Sequence, residues 1–282
     1  MAKKVAIVTG ADGGMGRVLV RELTNAGYKV IMACQDKKKT KPVCDAIQAD
    51  TASNIDLFQL DLASIHSIHQ FVAEVTEIYP KIDLLLNNAG ILPAKPEVTE
   101  DGYEMTAGVN YLGPYTLTTS LLPFFTKGTR IINMASLSYK WFKLSPKFLQ
   151  PLTEKEYHQL VTYSNSKRGL VYFMLDKSEE WKKKEIAIHC ADPGIVNTNI
   201  IKMGNKTIDR LCDIFFRPLI HSPEKGVETM LWLATSPDVE GETGGYYVKK
   251  KRRKVPTRIA NSPQRQWLRE LTLSIIEKHK SA

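Results

Sequence analysis

Tyr163 and Lys167, in the run Tyr-Ser-Asn-Ser-Lys, are the residues whose types and spacing could do chemistry. A helix places residues four apart on one face, so phenol and ammonium lie side by side. A cation there favours the ionised phenol and turns a group with an ordinary pKa of about 10 into a usable proton shuttle. Solvated helix faces carry such pairs too, so the elements that position this one must be read before an activity is assigned.

Those elements begin at the N-terminus. Val5-Ala-Ile-Val-Thr9 reads as a buried strand that runs into Gly10-Ala-Asp-Gly-Gly14-Met-Gly16. Met15, Val18, Leu19, Leu23 and Ala26 then recur at helical spacing, and Gly27 ends the pattern. Strand, glycine turn and helix in this order suit a dinucleotide diphosphate: glycines let the backbone approach the phosphates, and helix N–H groups and the helix dipole point at the charge. Further apolar strands are expected at residues 29–33, 55–59, 82–87, 130–134, 186–191 and 245–249, alternating with helical patterns. The stripe Leu62, Ile65, Ile68, Phe71, Val72, Val75 and Ile78 is one such helix face and belongs to the core. The alternation predicts an α/β fold: a doubly wound, Rossmann-type parallel sheet of about seven strands with helices on both faces. With no repeat or composition break, residues 1–282 read as a single domain.

With these residues in view, the chain resembles the short-chain dehydrogenase/reductase family. Thr9-Gly-x-x-x-Gly14-x-Gly16, Asn87-Asn-Ala-Gly90, Asn110, Ser136, Tyr163-x-x-x-Lys167 and Pro193-Gly194 stand in that family's order. The long Ser136-to-Tyr163 segment is similar to that of the retinol dehydrogenase branch, as is the tail from Ser222-Pro-Glu-Lys-Gly226 through Gly244-Gly-Tyr-Tyr to Trp267-Leu-Arg-Glu.

The resemblance implies an NAD(P)-dependent alcohol dehydrogenase or carbonyl reductase. Tyr163 is then the general acid in carbonyl reduction and the general base in alcohol oxidation. Lys167 lowers the Tyr163 pKa and hydrogen-bonds the nicotinamide ribose, Ser136 donates to the substrate oxygen, and Asn110 holds a water linking Lys167 to solvent. Branch similarity points to a lipophilic alcohol or carbonyl of the retinoid, steroid or fatty-aldehyde kind. Ser136 has no Gly-x-Ser-x-Gly elbow, and no histidine falls where a partner base is needed, so nucleophilic hydrolysis is set aside. His66, His69 and His189 are expected to be surface or helix residues without a special role.

Cofactor contacts follow by position. Gly10, Asp12, Gly14, Met15 and Gly16 form the phosphate turn. Asp61 with Leu62 matches the adenine-binding acid, and Asn87, Ala89 and Gly90 match the loop against the adenosine ribose. Pro193, Gly194, Val196 and Thr198 match the segment against the nicotinamide amide and phosphates. Asp12 departs from the neutral polar residue that relatives often carry, and a carboxylate there must turn away or cap the helix. At the end of the second strand, Cys34 stands where NAD-specific relatives place an acid, and Gln35 stands where NADP-preferring ones carry arginine. Lys37-Lys-Lys39 lies near a helix N-terminus, where an anion such as the 2′-phosphate would relieve the repulsion between cations and the helix dipole. NADP(H) is therefore expected over NAD(H).

Composition narrows the classes further. A chain of 282 residues with 43% hydrophobic and 24% charged residues can bury one substantial core. The first strand begins at about residue 4 and no apolar run approaches the ~20 residues of a membrane span, so a cytoplasmic enzyme without a leader or anchor is expected. Cys34, Cys44, Cys190 and Cys212 show neither metal-ligand spacing nor a CxxC pair, so no metal and no disulfide are expected. The net charge of +9 is densest at Lys249-Lys-Lys-Arg-Arg-Lys254, read as a solvated loop with no nucleic-acid motif beside it. Docking of an acidic acyl carrier on that run, in a 3-oxoacyl reductase, is one alternative function; a non-catalytic nicotinamide-sensing protein is another. A homo-oligomer is compatible with the sequence.

Two segments are expected to border the substrate. Residues 137–162 form an excursion broken by Pro146 and Pro151, in which Thr153-Glu-Lys-Glu156 resembles a capping box that starts the helix carrying Tyr163. Residues 197–222 mix Ile200, Ile201, Met203, Leu211, Ile214, Phe215 and Phe216 with charges, as an amphipathic lid would.

Overall fold

Val5–Thr9 (β1) is buried at every position, because a central strand covered by helices on both faces has no solvent side. The computed structural model describes residues 3–194 and 222–280. The candidate lid, except Ser222, together with Val196, Thr198 and Cys212, lies outside the described residues.

From β1 the chain passes through α1 (Gly14–Asn25), β2 (Lys29–Cys34), α2 (Lys37–Thr51), β3 (Asp56–Gln59), α3 (Ile65–Ile78) and β4 (Ile82–Asn87). A composite helix follows, made of α4 (Met105–Ala107), a π turn (Gly108–Leu112) and α5 (Gly113–Ser120). The second half contains β5 (Phe125–Met134), α6 (Gln159–Trp181), β6 (Ala187–Asp192), α7 (Pro223–Thr235), β7 (Gly245–Val248) and β8 (Lys251–Arg253). It ends with α8 (Thr257–Ala260) and α9 (Pro263–Lys280).

The strands form one sheet in the order β3-β2-β1-β4-β5-β6-β7-β8. The first seven are parallel, and β8 is antiparallel to β7. One face is covered by α3, α5 and α6 over a core that includes Phe71, Leu117 and Phe173. The other is covered by α1, α2 and α7 around Leu23, Ile47 and Met230. The winding reverses between β1 and β4, so a crevice opens beyond the carboxyl ends of those strands.

Three sequence expectations need correction. The basic run is not a loop: the chain turns at Lys249 and Lys250, both at positive φ, and returns as β8. The sheet therefore has eight strands, and its last edge carries lysine and arginine, which discourages edge-to-edge pairing. The Thr153–Glu156 box forms, with both the N–H and the hydroxyl of Thr153 donating to Glu156 Oε2, but it closes an isolated turn. Helix α6 starts only at Gln159, after His158. His189 is fully buried in β6: its Nδ1 accepts from the Gly245 N–H at 3.2 Å, and its Nε2 lies 3.0 Å from the Glu242 carbonyl oxygen. Burial, more than any other influence, holds its pKa down to about 4, so it is a neutral pin between β6 and the approach to β7.

The 137–162 excursion is stitched onto α6. Ser164 Oγ donates to the Ser138 carbonyl at 2.6 Å, Arg168 Nε to the Tyr139 carbonyl at 2.9 Å, and Asn165 bonds both Lys143 and Ser145. Helix α9 is tied to α6 through the Arg265–Asp176 ion pair at 2.6 Å and to the π turn through the Tyr111–Thr272 hydroxyl pair at 2.8 Å.

Candidate active site

The phosphate turn is built by the absence of side chains. Gly10 has φ +59°, and a Cβ on it would stand 3.0 Å from the Ala89 Cα; a Cβ on Gly16 would stand 2.1 Å from the Gly10 carbonyl oxygen. No side chain caps α1, whereas α2, α3 and α7 are capped by Asp36, Ser64 and Ser222. The first N–H groups of α1 thus face the crevice without a protein acceptor from a cap, which is the donor arrangement a diphosphate requires. Asp12 does not cap the helix as one expectation allowed: Gly13 is the N-cap residue, and the Asp12 carbonyl instead accepts from Arg17 Nε at 2.7 Å.

The neighbouring loop is locked to this turn. Thr9 Oγ1 accepts from the N–H groups of Asn88 and Ala89 at 3.1 and 3.0 Å, and Asn88 Nδ2 donates to the Thr9 carbonyl at 2.9 Å. Ala89 and Gly90 are left partly exposed beside the crevice. The Asn87 side chain points elsewhere, into buried bonds with Thr118 Oγ1 and Asn133 Oδ1. Met15 and Leu62 are likewise core side chains, so these three residues can offer a ligand only their main chain.

At the far end of the crevice, Asp61 accepts from Gln35 Nε2 at 3.0 Å and from the Ala63 N–H at 2.8 Å. Cys34 is buried and points at the Phe58 carbonyl. The lysine run is less uncompensated than its sequence suggested. Asp36 caps α2 through the Lys39 N–H at 3.0 Å and also pairs with the Lys39 ammonium at 3.5 Å, which holds its carboxyl below the usual range. Lys37 and Lys38 remain exposed.

Helix α6 carries Tyr163 and Lys167. Lys167 Nζ donates to the Met134 carbonyl at 2.8 Å and stands 5.3 Å from the centre of the Tyr163 ring. Burial lowers the Lys167 pKa to about 8, while Cys190 and Asp192 pull it back up. Tyr163 moves against the expectation drawn from Lys167. Burial and then the Asp192 carboxylate raise its pKa above the ordinary phenol value, and a hydrogen bond with Ser136 acts the other way. Ser136 stands at the end of β5, where it caps the turn Leu137–Lys140 through the Ser138 N–H.

Asn110 sits in the π turn, a helix irregularity frequent at functional sites. Its Oδ1 accepts from the Ile91 N–H at 2.8 Å, and its Nδ2 donates to the Ile91 carbonyl at 3.0 Å and to Ser166 at 3.2 Å. Gly169 makes this approach possible, since a Cβ there would stand 2.7 Å from the Tyr111 ring. The side chain thus ties the loop after Gly90 to α6. Gly90 closes the group: a Cβ on it would lie 3.4 Å from Asn110 Oδ1 and 3.5 Å from Lys167 Nζ.

Pro193 and Gly194 follow β6 beside this cluster, with Gly194 at φ +75°. Asp192, which precedes them, was missed in the sequence. It is buried, accepts from the Gly194 N–H at 2.7 Å and accepts from the Tyr246 hydroxyl at 2.5 Å. An acid before Pro-Gly was the available signal, but the tyrosine that holds it is 54 residues away.

The site thus joins a turn of glycines to the half-buried Ser136 and Tyr163 and the buried Lys167 across one sheet. The short chain dehydrogenase family model matches residues 4–146. The chain belongs to the short-chain dehydrogenase family. This dehydrogenase is an NAD(P)-dependent oxidoreductase. It is 30% identical over 266 residues to mouse retinol dehydrogenase 14, an alignment covering 88% of this chain and 78% of the relative. Mouse polyprenol dehydrogenase is 31% identical over 284 residues, covering 96% and 84% of the two chains. Among solved structures, an uncharacterised protein of Mycobacterium paratuberculosis superposes with a TM-score of 0.75 at 24% identity, covering 96% of this chain and 94% of that one. The dehydrogenase shares that protein's fold. Among the described residues, no cluster of metal-ligating side chains is present, and no helix is long and apolar enough to cross a membrane.

Proposed function

We propose that the dehydrogenase interconverts a lipophilic alcohol and its carbonyl, of the retinoid, steroid, fatty-aldehyde or polyprenol kind, with NADP(H) preferred. The observation that carries this reading is Lys167, anchored on β5 through the Met134 carbonyl with its ammonium 5.3 Å from the ring centre of Tyr163, one helical turn away. Named relatives acting on retinol and polyprenol support the substrate class.

When bound, the nicotinamide cofactor supplies or accepts the hydride. Tyr163 donates its proton to the substrate oxygen in reduction and takes it back in oxidation. Ser136 donates a hydrogen bond to the same oxygen, where charge develops as the carbonyl is reduced. Lys167 holds the nicotinamide ribose and keeps a positive charge near the phenol. Asn110 positions the Gly90–Ile91 loop against α6. Gly10, Gly14 and Gly16 admit the diphosphate, with the Asp12 and Met15 main chain beside them. Asp61 and the Leu62 main chain hold the adenine, and the Asn87–Gly90 loop carries the adenosine ribose. Pro193, Gly194, Val196 and Thr198 take the nicotinamide end.

NADP(H) preference rests on the exposed Lys37 and Lys38 and on the buried Cys34, which stands at the end of β2 where NAD-specific relatives place an acid. Three buried free thiols, Cys34, Cys44 and Cys190, favour a reducing compartment such as the cytoplasm.

The test is turnover of all-trans-retinal, a steroid ketone, a long-chain aldehyde and a polyprenal with NADPH and NADH, together with direct binding of both cofactors. Turnover of one of these with NADPH, lost in Tyr163→Phe, is expected. Full activity in that variant would overturn the mechanism, and tighter NADH binding would overturn the cofactor preference.

A further inference from the structure

Residues 91–93, which follow the Asn87–Gly90 loop, are held by side chains at both ends. At the start, the Ile91 N–H and carbonyl both bond Asn110, at 2.8 and 3.0 Å. At the end, Gln159 Nε2 donates to the Leu92 carbonyl at 3.2 Å and to the Pro93 carbonyl at 3.1 Å. The Tyr157 hydroxyl donates to the same Pro93 oxygen at 2.6 Å. Neither Gln159 nor Tyr157 takes part in the proton or hydride steps. Gln159, Tyr163 and Lys167 are spaced four apart on α6 and share one face. Gly90 stands at the Lys167 end of that face, since a Cβ on it would lie 3.5 Å from Lys167 Nζ, and Leu92 and Pro93 stand at the Gln159 end. The segment therefore runs alongside α6 past Tyr163, which lies between the two anchors. Its polar main-chain atoms are turned away: the Ile91 N–H and all three carbonyls bond side chains, and Pro93 has no N–H. Ile91 packs on the core beneath α6, whereas Leu92 is half-buried and belongs to neither core cluster among the described residues.

We propose that Gln159 and Tyr157 are positioning residues for substrate selection: by drawing the Leu92 and Pro93 carbonyls onto the start of α6, they make residues 91–93 an apolar wall beside Tyr163, against which the hydrocarbon part of the substrate lies. This rests on the dehydrogenase reading above and deepens it. The physical reason is desolvation. A carbonyl that faces an alkyl or polyene chain loses its water without gaining a donor, whereas a carbonyl already bonded to Gln159 or Tyr157 loses nothing when that chain arrives. The wall is held firmly, because Tyr157 is buried and Gln159 is the first residue of α6, four before the phenol it serves. A short substrate does not reach along the wall and gains nothing from the clamp.

The experiment compares the full chain with Gln159→Leu and Tyr157→Phe, which remove the donors and keep most of the bulk. Hydrogen exchange, read by mass spectrometry on a peptide covering residues 88–96, needs neither cofactor nor substrate. Exchange there is expected to quicken by about tenfold in Gln159→Leu and by less in Tyr157→Phe, where Gln159 still holds Pro93. Unchanged exchange in folded Gln159→Leu would overturn the clamp. Steady-state reduction with NADPH then separates positioning from general damage. For all-trans-retinal or dodecanal, KM is expected to rise about tenfold in Gln159→Leu with kcat within about twofold, the scale of one carbonyl left without a donor. For butanal, kcat/KM is expected to stay within about twofold, as is the NADPH dissociation constant, because neither touches the wall. Equal losses for long and short aldehydes, or a fall in kcat at constant KM, would overturn the role in substrate selection. If the unsubstituted protein reduces none of these aldehydes, the functional reading fails and takes the substrate role with it, while the exchange result still decides the clamp.

Discussion

The two halves of the sheet solve different problems with opposite means. Around β1 and β4 the cofactor end is made by missing atoms: Gly10 and Gly16 leave no room for a Cβ, and α1 begins without a side-chain cap. Around β5, β6 and β7 the reactive end is made by buried atoms, with Lys167, Asp192, His189 and Tyr246 all inside the protein. A binding surface for a highly charged ligand can be rigid and nearly uncharged, since backbone dipoles suffice. A proton-transfer site cannot, because its pKa values are set by burial and by specific charges.

The sharpest way to break this comparison is Tyr163→Phe. Turnover should fall by roughly 10²–10⁴-fold while cofactor dissociation constants stay within about threefold, since the ring remains and only the proton carrier is lost. Steady-state kinetics with a parallel fluorescence titration of cofactor reads both. The mirror experiment is Gly16→Ala, whose Cβ would collide with the Gly10 carbonyl at 2.1 Å. Cofactor affinity should fall by more than about tenfold, because the turn must move to relieve a backbone clash. Binding at the original strength would show that the turn is not the diphosphate site.

His189 probes the buried half through pH. Its folded pKa of about 4 lies below the ordinary histidine value of 6.5. The folded state therefore binds fewer protons than the unfolded chain between those limits. Its contribution is fully present above about pH 6.5 and is lost as pH falls through 4, a change on the order of 3 kcal/mol. Urea midpoints measured from pH 7 to pH 4 should show this slope, and His189→Gln should flatten it.

Smaller effects are expected at the rim. Lys37→Ala with Lys38→Ala should weaken NADPH binding several-fold and leave NADH binding unchanged, the scale of exposed ionic contacts; equal losses for both cofactors would count against a 2′-phosphate contact. At the β7–β8 turn, Lys250 has φ +60°, so Lys250→Gly should stabilise the fold by about 0.5–1 kcal/mol in thermal or urea unfolding.

The Tyr163–Lys167 spacing and the glycine turn before α1 are legible in the sequence because each depends on local geometry. Four residues on a helix place Tyr163 beside Lys167, and a glycine run between strand and helix has few other uses. The same local logic misleads in two places. The Thr153–Glu156 box points to the start of α6, although its bonds require only one turn. The charge of Lys249–Lys254 points to a loop and masks a short edge strand whose partner is β7. No local rule shows that the Asn87 side chain bridges β4 to α5 and β5.

What the sequence alone determined is the order of elements, the family, and which face of α6 carries the phenol and the ammonium, because periodicity and turn chemistry act over a few residues. Only the tertiary structure decided the protonation landscape. Burial between sheet and helix drops Lys167 to about 8 and raises Tyr163, while Asp192, held by Tyr246, pushes both upward. Desolvation and fixed charge are properties of everything that surrounds a group in space, and Tyr246 reaches Asp192 from 54 residues away.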